Sequence, residues 1–522
     1  MHSTWKSTLR RAAALLVLGS LARLEAGGGA VPVRWGGSTS SNMVSAARGL
    51  PDDLEAVKPL WELRLGTHQY SIPTVDRGRI YLGTDDSALD RPGVKRTGGG
   101  LLLCVDQATG KTIWRFPTPR YTKGVIDPYH FDQWKCGFCS GPVVDGDRVY
   151  VVGSRGEVLC LDRDGQANGN DGPFLDELAY MGAEKVSGAE LGPADGDIIW
   201  RYDFLRELDV VPHDVCGSTL LLHGDLLYAC TSNGVDGSHA RVPRPLAPSL
   251  IVLDKHTGRL VAKDGERIGE RMLHGHWSSP AFGSAGGRDL IFFGGGDGVL
   301  YAFEPARPAP EGSEPQTLRK VWSHDCNPPD YRARDGKPVP YSRWNKNSPD
   351  GPSEIIGTPV FFEGRVYVTI GQSPIHGVGR GQLSAIDAAT GREVWASRLV
   401  DRSLATPSVA GGLVYVVDYS GYLHCFDAET GDRCWAHELG AGAWGASTFV
   451  ADGKVYASGE NDVVWVLRAG REKRVLSSAE FESVPITPAA AGGVLYLATQ
   501  RRLLALPGGG GEREGNSGQT QD

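Results

Sequence analysis

Apolar and polar positions alternate along most of this chain in short bursts, separated by turns rich in glycine and aspartate. The cleanest stretch is residues 411–435, GGLVYVVDYSGYLHCFDAETGDRCW. Leu413–Val417 is an apolar, β-branched run, Ser420-Gly421 a tight turn, and residues 422–426 a second run. Asp427-Ala428-Glu429-Thr430-Gly431 supplies another turn, and residues 433–436 a further strand carrying Trp435. Three or four short antiparallel strands cannot bury both faces alone, so such a unit requires copies of itself alongside.

Eight copies are legible. The first runs from Ile72 through Ile80-Tyr81-Leu82 to Asp106, Thr109-Gly110 and Trp114; the second ends, after an insertion, at Trp200. The third has Asp254, Thr257 and Gly258, with Val261 where the tryptophan falls elsewhere. The fourth ends at Trp322, the fifth at Trp395, and the sixth is the stretch quoted above. The seventh holds residues 455–467, and the eighth, residues 494–506, lacks its outer strand. Leu60-Trp61-Glu62-Leu63-Arg64-Leu65 is an orphan copy of the Trp strand that precedes the first repeat. Pairing it with the eighth copy closes a ring and leaves no exposed seam. The predicted fold is therefore all-β: a single eight-bladed β-propeller of four-stranded antiparallel blades over residues 60–507, closed by an N-terminal strand that completes the last blade.

Composition agrees, since 71 glycines and 32 prolines suit many tight turns. A net charge of -8 over 522 residues, without a basic stripe, argues against a nucleic-acid partner. Lys6, Arg10 and Arg11 precede an apolar run over residues 12–21, the pattern of a secretory signal peptide over residues 1–26 and too short for a membrane span. Residues 27–59 form an N-terminal extension, and residues 508–522 have the Gly-rich composition of a disordered tail. The expected location is the periplasm or the cell exterior.

Export permits disulfides. Of nine cysteines, Cys104, Cys160 and Cys425 share one repeat position, where a small buried side chain is expected. Cys136 and Cys139, in Lys-Cys-Gly-Phe-Cys-Ser, read as a local disulfide or redox pair, and Cys216 and Cys230 as a cross-strand candidate pair. No His follows the CxxC, so haem attachment is not expected. Asp162, Asp164, Asn168 and Asp171 alternate around Gly165 and Gly169 as in part of a calcium loop, without the closing Glu; the alternative is an Asx/Gly turn.

The repeat G-x-[VL]-Y-x-x-x-x-G-x-L-x-x-x-D-x-x-T-G-x-x-x-W resembles the pyrroloquinoline quinone (PQQ) propeller family over nearly all of residues 60–507. Asn168-Gly169-Asn170-Asp171-Gly172-Pro173 and Thr231-Ser232-Asn233-Gly234-Val235-Asp236 resemble its secreted planctomycete-type members, labelled polyvinyl-alcohol dehydrogenase-like. That resemblance implies an axial quinone, a calcium ion held by Glu and Asn, an Asp base, adjacent cysteines and a stacking Trp. Asn233 matches the family's Gly-x-Gly-Asn position, although a turn Asn before Gly is the favoured reading of the sequence alone. His274-Gly275-His276-Trp277-Ser278 has the shape of the His-Asp-x-Trp-Asp segment, with Ser278 where the catalytic Asp belongs. The acidic loop is shortened at Gly153-Ser154-Arg155-Gly156, and no Cys-Cys pair exists.

Other polar groups are expected on the axial face: Tyr129, His130 and Trp134; His213 and Asp214; His274, His276 and Trp277, of which the two histidines could ligate one metal but show no third ligand and are favoured as structural; Asn345, Asn347 and Asp350; Gln372 and His376; Trp444; Glu460 and Asn461. Among them His130, Trp277 and Trp444 join Asn233 as cofactor-binding candidates, and Asp214 and His276 are the candidates for catalysis. The leading expectation is a ligand-binding or protein-interaction scaffold that has lost most quinoprotein catalytic groups, its partner an unknown small molecule, polymer or protein on the axial face. The alternatives are a divergent PQQ- and calcium-dependent alcohol dehydrogenase and an outer-membrane assembly scaffold.

Overall fold

The computed structural model describes residues 32–120, 132, 134–183, 186, 188–341, 347–376 and 379–508. The expected signal peptide and nearly all of the Gly-rich tail therefore lie outside the described residues, as do Tyr129, His130 and Asn345. Eight antiparallel blades form the ring that the repeats predict. Blade 6, for example, is built from Ser408–Ala410, Leu413–Val417, Tyr422–Asp427 and Arg433–Glu438 in order from axis to rim. The seam closes as expected: Trp61–Arg64 pairs antiparallel with Arg502–Pro507, Trp61 opposite Ala505 and Arg64 opposite Arg502.

One row of side chains explains the repeat. Across blade 6, Tyr415 lies opposite Cys425 and Cys425 opposite Trp435; blade 1 repeats this with Tyr81, Cys104 and Trp114, and blade 2 with Tyr150, Cys160 and Trp200. Two large aromatics flank a central position, so only a small side chain fits there, and in blades 5 and 8 it is Ala385 and Ala505. Where the outer residue is not Trp the centre enlarges: Val252 faces Ala262 in blade 3, and Val466 faces Ser477 in blade 7.

Each tryptophan also fastens its blade to the next. Trp395 Nε1 donates to the Ala428 carbonyl at 3.0 Å and Trp435 Nε1 to that of Gly470 at 2.9 Å. The Asp-x-x-Thr-Gly turn is the receiving surface. Asp387 Oδ1 accepts the Thr390 N–H at 2.8 Å and its hydroxyl at 2.6 Å, while Gly391 adopts φ +72° against the Trp322 ring. A Cβ there would sit 2.6 Å from that ring, so the Trp requires the glycine. Blades 3 and 7 lack the Trp, and added segments fill the gaps: Leu318 packs between blades 3 and 4, Leu50 and Leu54 between blades 7 and 8.

The N-terminal extension does more than precede the ring. Residues 33–45 cross the inner strands of five blades in turn. Val33 exchanges backbone hydrogen bonds with Val144 of blade 2, the Phe282 and Phe361 N–H groups of blades 4 and 5 donate to the Thr39 and Ser40 carbonyls, and Val44 pairs in parallel with Val450 of blade 7. At blade 6 Asn42 imitates a strand: its Oδ1 accepts the Val409 N–H at 2.9 Å and its Nδ2 donates to the Val409 carbonyl at 2.8 Å. The inner strands of a propeller line its axial channel, so this segment fills the channel and satisfies edges that the ring leaves unpaired. Sequence inspection assigned it no such role.

The cysteines are all free. The expected Cys136–Cys139 disulfide is not formed: Gly137 turns the chain at φ +68°, and Cys139 Sγ lies 3.9 Å from the Cys136 carbonyl oxygen. Contact with Cys136 and burial both hold the Cys139 thiol well above its usual range. Cys216 and Cys230 are likewise buried, unjoined thiols.

Candidate functional site

Two sets of loops gather at the upper end of the axis, those joining each rim strand to the next blade and those joining the two middle strands of a blade. After blade 2, residues 209–220 bring in His213, whose backbone N–H donates to the Ser232 carbonyl at 3.1 Å. The middle loop of blade 3 contributes His239 from a turn in which Asp236 Oδ1 accepts the Ser238 N–H at 3.0 Å and His239 adopts φ +53°. The loop after blade 3 provides His274 and Trp277, and a short turn, Pro374–His376, provides His376 from blade 5. Tyr341 and Glu354, from the long loop after blade 4, complete the group.

These rings form one cluster. The His213 and His274 Nε2 atoms are 2.9 Å apart, and the His274 ring centroid lies 4.8 Å from that of His239, 4.6 Å from His376 and 5.1 Å from Trp277. His213 Nδ1 is 2.8 Å from the Val235 carbonyl oxygen, which only accepts, so Nδ1 carries the proton. On the other side, His274 Nδ1 faces Glu354 Oε1 at 3.7 Å, and that oxygen accepts the Tyr341 hydroxyl at 2.6 Å. Glu354 is fully buried, which pushes its carboxyl up to about 7. Burial first, then the neighbouring imidazoles, holds His274 well below the usual histidine range. An open cleft of about 330 Å³, lined by Val235, His239, Arg241, Met272 and Tyr341 among others, reaches this cluster from outside.

The remaining candidates are placed as follows. Asp214 lies 3.6 Å from His213 Nε2 and so belongs to the cluster. Trp277 forms its wall and donates to the Val215 carbonyl at 3.2 Å. His276 faces away: its Nδ1 accepts the Gly296 N–H at 3.0 Å, which leaves Nε2 to donate to Ser249 Oγ at 2.9 Å. It is a core histidine, driven down to about 3 by burial. Asn233 is buried and engaged at both ends, Oδ1 accepting the Val211 N–H at 3.2 Å and Nδ2 donating to the Arg244 carbonyl at 3.0 Å. Trp444 is 43% exposed and packs edge-on against Tyr419, apart from the histidines.

The proposed calcium loop does not converge. Asp162 Oδ2 pairs with Arg148 at 2.6 Å and its Oδ1 caps the Asp164 N–H at 2.7 Å; Asp164 pairs with Arg79, and Asn168 donates to Asp171 at 3.0 Å. Arginines thus neutralise Asp162 and Asp164, two of the three carboxylates that a cation would need.

A bound quinone and calcium also find a poor fit here. Calcium takes oxygen ligands, yet Asn233 is already engaged, Ser278 Oγ donates to the Gly357 carbonyl at 3.1 Å, and Glu157 is enclosed by Tyr180, Arg155 and Arg201. The convergent donors are imidazole nitrogens. Sequence inspection included His213, Asp214, His274, Trp277 and His376 but missed His239, Tyr341 and Glu354, which reach the axis from loops without repeat-like spacing.

The architecture is thus a closed propeller with a plugged channel and a histidine-lined upper mouth. Comparison with known proteins agrees on the propeller fold. A family model described as "Outer membrane protein assembly factor BamB" matches residues 94–168 and 313–445. Quinoprotein alcohol dehydrogenase PedH of Pseudomonas putida is 30% identical over 433 residues, covering 77% of this chain, which spans 65% of that relative's length. BamB of Escherichia coli is 30% identical over 103 residues, 17% of this chain and 25% of its own. Among solved structures, a europium-containing methanol dehydrogenase superposes with TM-score 0.56 at 13% identity, over 90% of this chain and 89% of its own. BamB of Moraxella catarrhalis superposes with TM-score 0.52 at 14% identity, over 87% and 98%. These matches support a PQQ-like β-propeller family for the chain.

Proposed function

We propose that this propeller is an exported binding module whose ligand site is the histidine-lined upper end of the axis, and that it does not oxidise alcohols through quinone and calcium. The observation that carries this is the identity of the convergent groups. Imidazole nitrogens meet at the axis, while Asn233 and Ser278, at the quinoprotein positions, are engaged with backbone groups. No carboxylate stands at position 278 to take an alcohol proton. A periplasmic or extracellular location is supported by the basic and apolar pattern of residues 1–26 and by the outer-membrane assembly role named for the BamB relatives.

The likeness to PedH favours a second reading, a divergent quinoprotein alcohol dehydrogenase. One experiment separates the two: titrate the purified protein with PQQ and calcium, follow quinone absorbance, then add alcohols and a redox dye. The expected outcome is neither saturable uptake nor dye reduction. Saturable uptake with turnover sinks the binding-module reading.

A further inference from the structure

We infer that His213, His239 and His274 together bind one divalent transition-metal ion of the zinc class at the upper mouth of the axis, leaving a coordination position open to the cleft. This rests on the reading of that mouth as the ligand site. One nitrogen from each of the three rings lies within 4.8 Å of the others, and among the described residues this is the one group of three or more His, Cys, Asp or Glu arranged so. Zinc–imidazole bonds of about 2.0–2.1 Å place tetrahedral ligand atoms roughly 3.3 Å apart. Shifts of an ångström or so, in loops carried by a rigid ring, bring the three rings to that geometry.

The orientation of two rings supplies an independent argument. His213 Nδ1 is held by the Val235 carbonyl at 2.8 Å, His274 Nδ1 lies 3.7 Å from the Glu354 carboxylate, beyond hydrogen-bond reach, and the two Nε2 atoms face one another at 2.9 Å. A hydrogen-bonded carbonyl behind the far nitrogen, as at His213, is how ligating histidines are held, because it fixes the tautomer and strengthens the donor. Glu354 is itself positioned by the Tyr341 hydroxyl. With Nδ1 of His213 protonated, its Nε2 carries a lone pair, which at 2.9 Å accepts an N–H from His274 Nε2 or, once that proton is displaced, joins that nitrogen on a shared cation. The Asp214 carboxylate, 3.6 Å from His213 Nε2, adds negative charge beside the ion.

The donor set decides the class of metal. Three imidazoles suit zinc, copper, nickel or cobalt, whereas calcium and magnesium require oxygen cages. The cleft beside His239 gives an exogenous ligand access to the remaining position. Three protein nitrogens with one open site is the arrangement found in catalytic rather than structural zinc centres.

The test uses the mature full chain, stripped with a chelator and dialysed, then titrated with Zn²⁺, Co²⁺, Ca²⁺ and Mg²⁺ by calorimetry, with Co²⁺ visible absorption as the coordination readout. One equivalent of Zn²⁺ or Co²⁺ is expected to bind at micromolar concentration or tighter, with neither Ca²⁺ nor Mg²⁺ competing. His213→Ala and His274→Ala are expected to weaken it at least 100-fold, and Glu354→Gln by 10- to 100-fold. His256→Ala, at an exposed turn remote from the axis, should leave affinity unchanged. Because His213 and His274 are buried, His239→Ala, on a half-buried loop, tests the site should either of those variants unfold; an at least 100-fold loss is expected there too. Absence of stoichiometric Zn²⁺ and Co²⁺ binding, or binding that the folded histidine variants leave intact, overturns the inference. PQQ and calcium uptake with turnover would instead overturn the functional reading beneath it, so the two failures are distinguishable.

Discussion

Along the axis of the ring, the channel and its upper mouth receive loop and extension segments in different ways. In the channel, residues 33–45 meet five inner strands through backbone bonds and through the Asn42 amide, and the donors and acceptors named there find partners. At the mouth, His213, His239, His274 and His376 come from three different blades and stack on one another, with the Glu354 carboxylate buried behind them. Filling a channel is a matter of edge pairing, which a short extended segment accomplishes with little demand on its side chains. Bringing several imidazoles together in a buried cluster places titratable groups where burial disfavours their charge. The first arrangement belongs to folding, and the second is the proposed ligand site.

Three perturbations test that contrast, taken from the largest expected effect to the smallest. Deleting residues 32–57 removes the channel filling and the wedge between blades 7 and 8, and is expected to cost about 5 kcal/mol, read as a lower urea midpoint. An unchanged midpoint would make the segment a surface arm rather than part of the core. Asn42→Ala leaves the Val409 N–H and carbonyl without their partner and is expected to cost about 3 kcal/mol. A cost below about 1 kcal/mol would mean that water replaces the amide and the channel is wet there.

The third concerns His276, a core histidine two residues from the cluster. Its folded pKa of about 3 lies below the ordinary 6.5, so below pH 6.5 the unfolded chain takes up a proton that the folded chain refuses. Its contribution is complete above pH 6.5 and is lost as pH falls toward 3, about 2 kcal/mol by pH 5. Urea midpoints at pH 7.5 and 5.0 should therefore converge in His276→Asn relative to wild type. Equal pH dependence in both proteins would remove His276 from the acid response.

Much of the fold was legible in the repeat. The alternation in residues 411–435 carries strands, turns and the Trp row, because each blade solves the same packing problem with the same residues. The unpaired Trp61 strand and the incomplete eighth copy even announced the seam. The candidate site was legible only in part. His274 and His213 stood out as polar residues on axial loops, but His239 and Glu354 lie in irregular segments whose spacing carries no period. The calcium loop misled because spacing shows which oxygens are near in sequence, not that Arg79 and Arg148 occupy them.

By itself, then, the sequence determined the blade and its number, since local periodicity and turn chemistry repeat within about fifty residues, and it pointed to the closure because the orphan Trp61 strand matches the one that the eighth copy lacks. Only the tertiary structure decided that residues 33–45 fill the channel, that His276 serves the core, and that His213, His239 and His274 meet. Those outcomes depend on contacts between segments tens to hundreds of residues apart, and the ring alone brings such segments within reach of one another.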